Sequence, residues 1–171
     1  IHRDAVYIRQ LQNDSRTQLK NWLEQHIPRN SRIAQDWSST LRKDPVIGKE
    51  WQITSFDFAG RLGSIENARK LGFDYLVVCD LSYGRFFEPE NASTSPEARV
   101  GTQKAQEEHP QLPKVYTFSE VRGFYEQVFN RLTPIWEYTP SIQMNAFSDP
   151  AIRVYALNKS LPREASSRNH P

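Results

Sequence analysis

Residues 73–80 read FDYLVVCD, a nearly continuous apolar run closed by an acidic residue. A run of this length that does not alternate is what a strand covered on both faces looks like, as in the parallel sheets of α/β proteins. It therefore predicts the centre of a sheet. Just upstream, Ser64 can cap a short helix whose apolar face is Ile65, Ala68 and Leu71, and Gly72 falls where the chain leaves a helix through the left-handed region. Further out, WQITSFDF (51–58) and SRIAQDW (31–37) read as two more strands, and AIRVYAL (151–157) alternates as a last one.

Two helices flank these strands. Leu19, Trp22, Leu23 and Ile27 recur at helical spacing after Asp14 and Ser15, either of which can cap the free amides, and Pro28 cannot continue the helix. The clearest helix covers 118–132, where Val121, Phe124, Tyr125, Val128, Phe129 and Leu132 form one stripe. Thr117 and Glu120 before it fit a capping box. A short strand is expected at 135–138. Helices and strands thus interleave. The order predicts an α/β three-layer sandwich with a mostly parallel, Rossmann-like sheet and an antiparallel strand, the last one, at an edge. Residues 1–158 are expected to form a single α/β domain and 159–171 a flexible tail. The segment 88–113, with Pro89, Pro96, Pro110 and Pro113 among polar residues, reads as a long irregular excursion, and 38–49 as a loop.

The 171 residues are enough for one domain with a real core, for which four Trp, seven Tyr and nine Phe supply bulk. A net charge of +2 is too balanced for a nucleic-acid partner, whose contacts need clustered basic residues. No apolar run approaches the roughly 18 residues that span a bilayer. Cys79 is the only cysteine, so an intrachain disulfide and a Cys-x-x-Cys metal site are excluded; inside an apolar run it reads as a small hydrophobe.

Motifs that carry chemistry are mostly missing. Gly60-Arg-Leu-Gly63 lacks the third glycine and the Lys-Ser/Thr pair of phosphate-cradling loops, and no Gly-x-Ser-x-Gly elbow occurs. His2, His26, His109 and His170 stand alone, so no metal pair forms on a helix face; His26 ends a helix, where a cation is favoured. No cofactor and no metal are expected. Asp36, Asp57 and Asp80 at strand ends are open both to a catalytic carboxylate role and to a role as caps and turn formers. Glu88-Pro-Glu90, the nearest carboxylate pair, reads as a solvated turn. Asn13, Asn91 and Asn158 head Asn-x-Ser acceptor triplets for N-glycosylation.

One segment stands out. Ligands of doubly wound sheets meet the crevice beyond the carboxyl ends of the strands. The presumed central strand ends at Asp80, followed by Ser82, Tyr83 and Arg85, then Phe86 and Phe87. Asp80, Ser82, Tyr83 and Arg85 are candidate ligand-binding residues, with Arg85 suited to a phosphate or carboxylate and Tyr83 to stacking on a sugar. The competing reading docks the three rings on the core and leaves Arg85 in solvent.

Three stretches, residues 14–34 (DSRTQLKNWLEQHIPRNSRIA), 73–87 (FDYLVVCDLSYGRFF) and 150–157 (PAIRVYAL), in this order resemble the soluble C-terminal region of bacterial lipid-carrier-dependent membrane glycosyltransferases, the protein mannosyltransferase-like and aminoarabinose transferase-like enzymes. The helix around Tyr125 also falls where such regions have one. That family's Pro-Gly turn after the first helix is Pro28-Arg-Asn here. The resemblance implies an accessory domain on the extracytoplasmic face of the membrane, periplasmic or extracellular. Its implied partners are a transmembrane domain of the same polypeptide and a polyprenyl-phosphate-linked sugar or acceptor. The family's catalytic acid lies in the membrane domain, so no catalytic residue is implied in this chain. The rival expectations are a free-standing small-ligand binder or enzyme using residues 80–85, and a protein–protein interaction module with an exposed aromatic patch.

Overall fold

A computed structural model of the chain describes residues 14–39, 50–88, 116–140 and 149–158. In chain order these form α1 (Ser15–His26), β1 (Arg32–Asp36), β2 (Gln52–Phe56), α2 (Ile65–Lys70), β3 (Tyr75–Cys79), α3 (Asp80–Tyr83), α4 (Phe118–Arg131), β4 (Trp136–Tyr138) and β5 (Ile152–Ala156). The protein is α/β, built on one five-stranded mixed sheet of order β2-β1-β3-β5-β4. β1 pairs in parallel with β2 and with β3, while β5 runs antiparallel to β3 and to β4.

The local signals act as their chemistry dictates. Asp14 caps α1 by accepting from Thr17 N at 2.9 Å, and Ser64 caps α2 by accepting from Asn67 N at 3.0 Å. At α4 the capping box is complete: Thr117 Oγ1 accepts from Glu120 N, and Glu120 Oε2 accepts from Thr117 N at 2.7 Å. Gly72 leaves α2 at φ 81°, a conformation that costs a side chain dearly. Every residue of β3 is buried, as a strand at the middle of a covered sheet requires.

One expectation needs correction. β5 is antiparallel, but it is not an edge strand; it lies between β3 and β4, and three-residue β4 forms the edge. The reason is in its backbone: Trp136–Tyr138 pair with Ile152–Val154 along the side of β5 away from β3, so the outer N–H and C=O groups of β5 there are taken up by β4.

The apolar residues divide between the two faces of the sheet. Leu19, Leu23 and Ile27 of α1 pack on Ile33, Tyr75, Val77, Ile152 and Val154. On the opposite face Val121, Phe124, Tyr125 and Val128 of α4, with Ile65 and Ala68 of α2, pack on Ala34, Phe56, Leu76, Val78 and Tyr155. Three short 3-10 turns cover Trp37–Ser39, Ala59–Leu62 and Gly84–Phe86; the first takes in Trp37, which the sequence places in a strand, whereas β1 ends at Asp36. The excursion beyond residue 88, most of the 38–49 loop, the tail, His2, His109, His170, Glu90, Asn13 and Asn91 lie outside the described residues.

Candidate functional site

β1, β2 and β3 end together, at Asp36, Phe56 and Cys79, because they are parallel and in register, with Asp36 opposite Phe56. The chain leaves β1 for β2 on one side and then crosses to β3 on the other. The order therefore reverses at β1, which opens the crevice where α/β sheets hold ligands.

The best-organised group there is Asp36, which has no exposed surface. Its Oδ1 accepts from Ala59 N at 2.7 Å and from the Tyr125 hydroxyl at 2.6 Å; its Oδ2 accepts from Cys79 N at 2.9 Å. One carboxylate thus binds the exits of β2 and β3 to α4. Burial pushes its pKa up to about 7, against the pull of these three donors toward the ionised form. Tyr125, equally buried and facing that carboxylate, has its phenol pushed well above its ordinary value. Cys79 is buried and its thiol is driven up to about 12 by burial and then by the nearby Asp36 charge, which leaves it unreactive at neutral pH.

Beside this hub runs a chain of hydroxyl contacts. Gln35 Nε2 donates to Ser55 Oγ at 2.6 Å, Ser39 Oγ donates to Gln35 Oε1 at 2.8 Å, and Ser82 Oγ donates to Ser38 Oγ at 3.1 Å. Arg16 of α1 reaches the Ser38 carbonyl at 3.4 Å.

The four residues singled out from sequence are distributed around this region. Asp80 opens α3 and is half-buried, and Ser82 is buried in the contact with Ser38. Tyr83 packs its ring against Tyr125 at 5.7 Å and Phe129 at 5.0 Å, and burial raises its phenol to about 12. Arg85 is exposed and lies with its guanidinium 4.9 Å from the Phe58 ring centroid. The structure joins Tyr83 to the aromatic packing under α4 and Ser82 to the end of β1, while Arg85 meets the same aromatic packing from the solvent side, through Phe58 and Phe86. Of the strand-end aspartates, Asp36 is the buried hub and Asp57 is half-buried, 3.7 Å from Arg61 Nη1. His26 donates from Nδ1 to the Trp22 carbonyl at 2.8 Å and stacks on the Trp22 ring, and Asn158 is exposed.

Sequence reasoning passed over Arg61. It is 1% exposed, yet none of its guanidinium nitrogens makes a hydrogen bond. Tyr116, whose ring centroid lies 5.4 Å from that guanidinium, also buries a hydroxyl without a partner. The only sequence signal was a lone arginine inside an otherwise apolar AGRL segment. Among the described residues no group of three or more His, Cys, Asp or Glu could hold a metal ion, and no helix is long and apolar enough to cross a membrane.

Set against known proteins, the chain matches no protein-family model, no curated protein and no solved structure.

Proposed function

We propose that this chain is an accessory domain of a membrane glycosyltransferase that moves a sugar from a polyprenyl-phosphate carrier, with a Rossmann-like three-layer architecture. Its role is to shape the acceptor side of an active site held elsewhere in the same polypeptide, on the extracytoplasmic face of the membrane. One observation carries the reading. The three stretches of resemblance are far apart in sequence, but they supply α1 with β1, β3 with α3, and β5, and those strands are immediate neighbours in the sheet. The likeness thus gathers on one continuous part of the sheet, as the fold-determining positions of one domain would. Asp36 fits a scaffolding role too, since both of its oxygens are engaged by groups of the fold itself.

The test is the reading frame upstream of the codon for Ile1. It is expected to encode several apolar segments of about 20 residues, each able to span a bilayer. A frame that opens within a few codons of Ile1 removes the reading. In an intact parent enzyme, deleting residues 14–158 should abolish sugar transfer while leaving the membrane domain inserted.

A further inference from the structure

A guanidinium has five N–H donors and keeps its charge at every physiological pH, so enclosing it without an acceptor costs more than enclosing a neutral polar group. Arg61 is in that position, and so is the hydroxyl of Tyr116 beside it. Asp57 Oδ2, at 3.7 Å from Arg61 Nη1, offsets part of the charge but is beyond hydrogen-bond distance. The turn that carries Arg61 is held from two sides. Ala59 N is tied to Asp36, and Gly60 lies so close to α4 that a Cβ there would stand 2.6 Å from Val121 Cγ1 and 2.9 Å from the Val121 carbonyl oxygen. Arg61 therefore cannot escape by a shift of its backbone. Arg61 also acts on the Tyr116 oxygen, drawing the phenol's pKa down against burial, but no contact between them has hydrogen-bond geometry, so the guanidinium's donors remain without a well-placed acceptor on a fixed turn at the carboxyl end of a parallel strand.

We propose that Arg61 and Tyr116 form a seat for a phosphate group, which supplies the missing acceptors: the guanidinium takes two oxygens side by side and the Tyr116 hydroxyl takes a third. A carboxylate serves less well, because it carries a single charge where a phosphate carries about −1.5 to −2, and because, flat in the guanidinium fork, it offers Tyr116 only an oxygen already bonded to Arg61. The phosphate belongs either to a soluble phosphomonoester or to a lipid headgroup. The inference does not rest on the glycosyltransferase reading.

The experiment uses the 171-residue chain with inorganic phosphate, followed by calorimetric titration and thermal unfolding against sodium chloride and sodium acetate at matched ionic strength. A saturable response to phosphate is expected, with acetate at least several-fold weaker. Arg61→Met should lose at least tenfold in phosphate affinity and, with a buried charge removed, should unfold at a higher temperature than the parent when phosphate is absent. Tyr116→Phe should lose a few-fold. Asp57→Asn should tighten binding, since a competing negative charge is gone. Sedimentation with phosphatidylcholine vesicles, with and without phosphatidate, separates the sources: Arg61-dependent capture by phosphatidate identifies a lipid headgroup, and phosphate binding without capture identifies a soluble ligand. An unsaturable response shared with chloride, or an acetate response equal to that of phosphate, overturns the proposal. So does an Arg61→Met chain that keeps its phosphate response. If that variant fails to fold, an unchanged affinity in both Tyr116→Phe and Asp57→Asn overturns it equally.

Discussion

Asp36 and Arg61 are both closed off from solvent at the carboxyl ends of neighbouring strands, and the fold treats them oppositely. Three donors from three different elements converge on the Asp36 carboxyl. Arg61 has a carboxylate 3.7 Å away and an aromatic ring as company, and no hydrogen bond. A buried ionisable group that is fully bonded is a structural tie. One that is left with open donors is either a net cost to the fold or a place waiting for something to bind. The contrast can be broken at either residue, and Asp36 gives the larger effects.

Replacing Asp36 with Ala should be the most damaging single change near the crevice. It strips the acceptor from Ala59 N, Cys79 N and the Tyr125 hydroxyl at once. Buried donors left unpaired cost about 1–3 kcal/mol each, and the carboxyl's own burial penalty is relieved, so a net loss of about 3–5 kcal/mol is expected at pH 5. Urea unfolding at that pH measures it. A loss below about 1 kcal/mol would mean that the three donors find water or other partners, and that Asp36 is no tie.

The second effect is a pH dependence of unusual sign. An aspartate in the unfolded chain loses its proton near 3.8, whereas Asp36 in the fold holds it to about 7. The fold therefore binds more protons than the unfolded chain between those values, and stability falls as the pH rises through the window. The contribution is complete below about pH 4, gone above about 7, and on the order of 4 kcal/mol over the gap from 3.8 to about 7, at about 1.4 kcal/mol per unit. Neither the Cys79 thiol nor the Tyr125 phenol titrates there, since both are shifted upward. Glu66 and Glu120, whose pKa values are lowered by Arg131 and Thr117, act in the opposite sense and only at the acid end of the window, as the pH falls through about 4.5. Comparing urea midpoints at pH 4.5 and 8 for the parent and for Asp36→Ala isolates the effect. A parent that is equally stable at both would show that the three donors outweigh burial and keep Asp36 ionised.

What could be read from sequence follows the range of the forces involved. The α4 stripe, its Thr117–Glu120 cap, the Asp14 and Ser64 caps and the Gly72 exit all act within one or two turns, and the structure has each of them. The β3 run gave away the sheet centre because its burial on both faces leaves no room for polar residues. The place of β5 was not legible, because a strand at 135–138 can be expected from its residues but its pairing along the outer side of β5 cannot. Asp36 was visible only as one of several strand-end aspartates. Its partners lie 23, 43 and 89 residues away, separations at which no local rule operates. Arg61 was hidden for the opposite reason, since composition marks a charged residue in a turn as solvent-facing.

The smallest change is the most discriminating. Tyr125→Phe keeps the ring that packs among Phe124, Phe129 and Tyr83 and removes only the hydroxyl that donates to Asp36. Loss of one hydrogen bond to a buried carboxyl, with its other two donors retained, should cost about 1–2 kcal/mol. That hydroxyl is also the strongest of the three influences that favour the ionised form of Asp36, so its removal should move the carboxyl's titration higher still. The stability lost on deprotonation should then extend to a more alkaline pH than in the parent, and the cost of the substitution should be greater at pH 8 than at pH 5. No cost at either pH would place the energetic role of Tyr125 in its ring alone. Asp36 would then be held by the backbone of the β2 and β3 exits, with α4 serving as a lid on the sheet rather than as a member of the network.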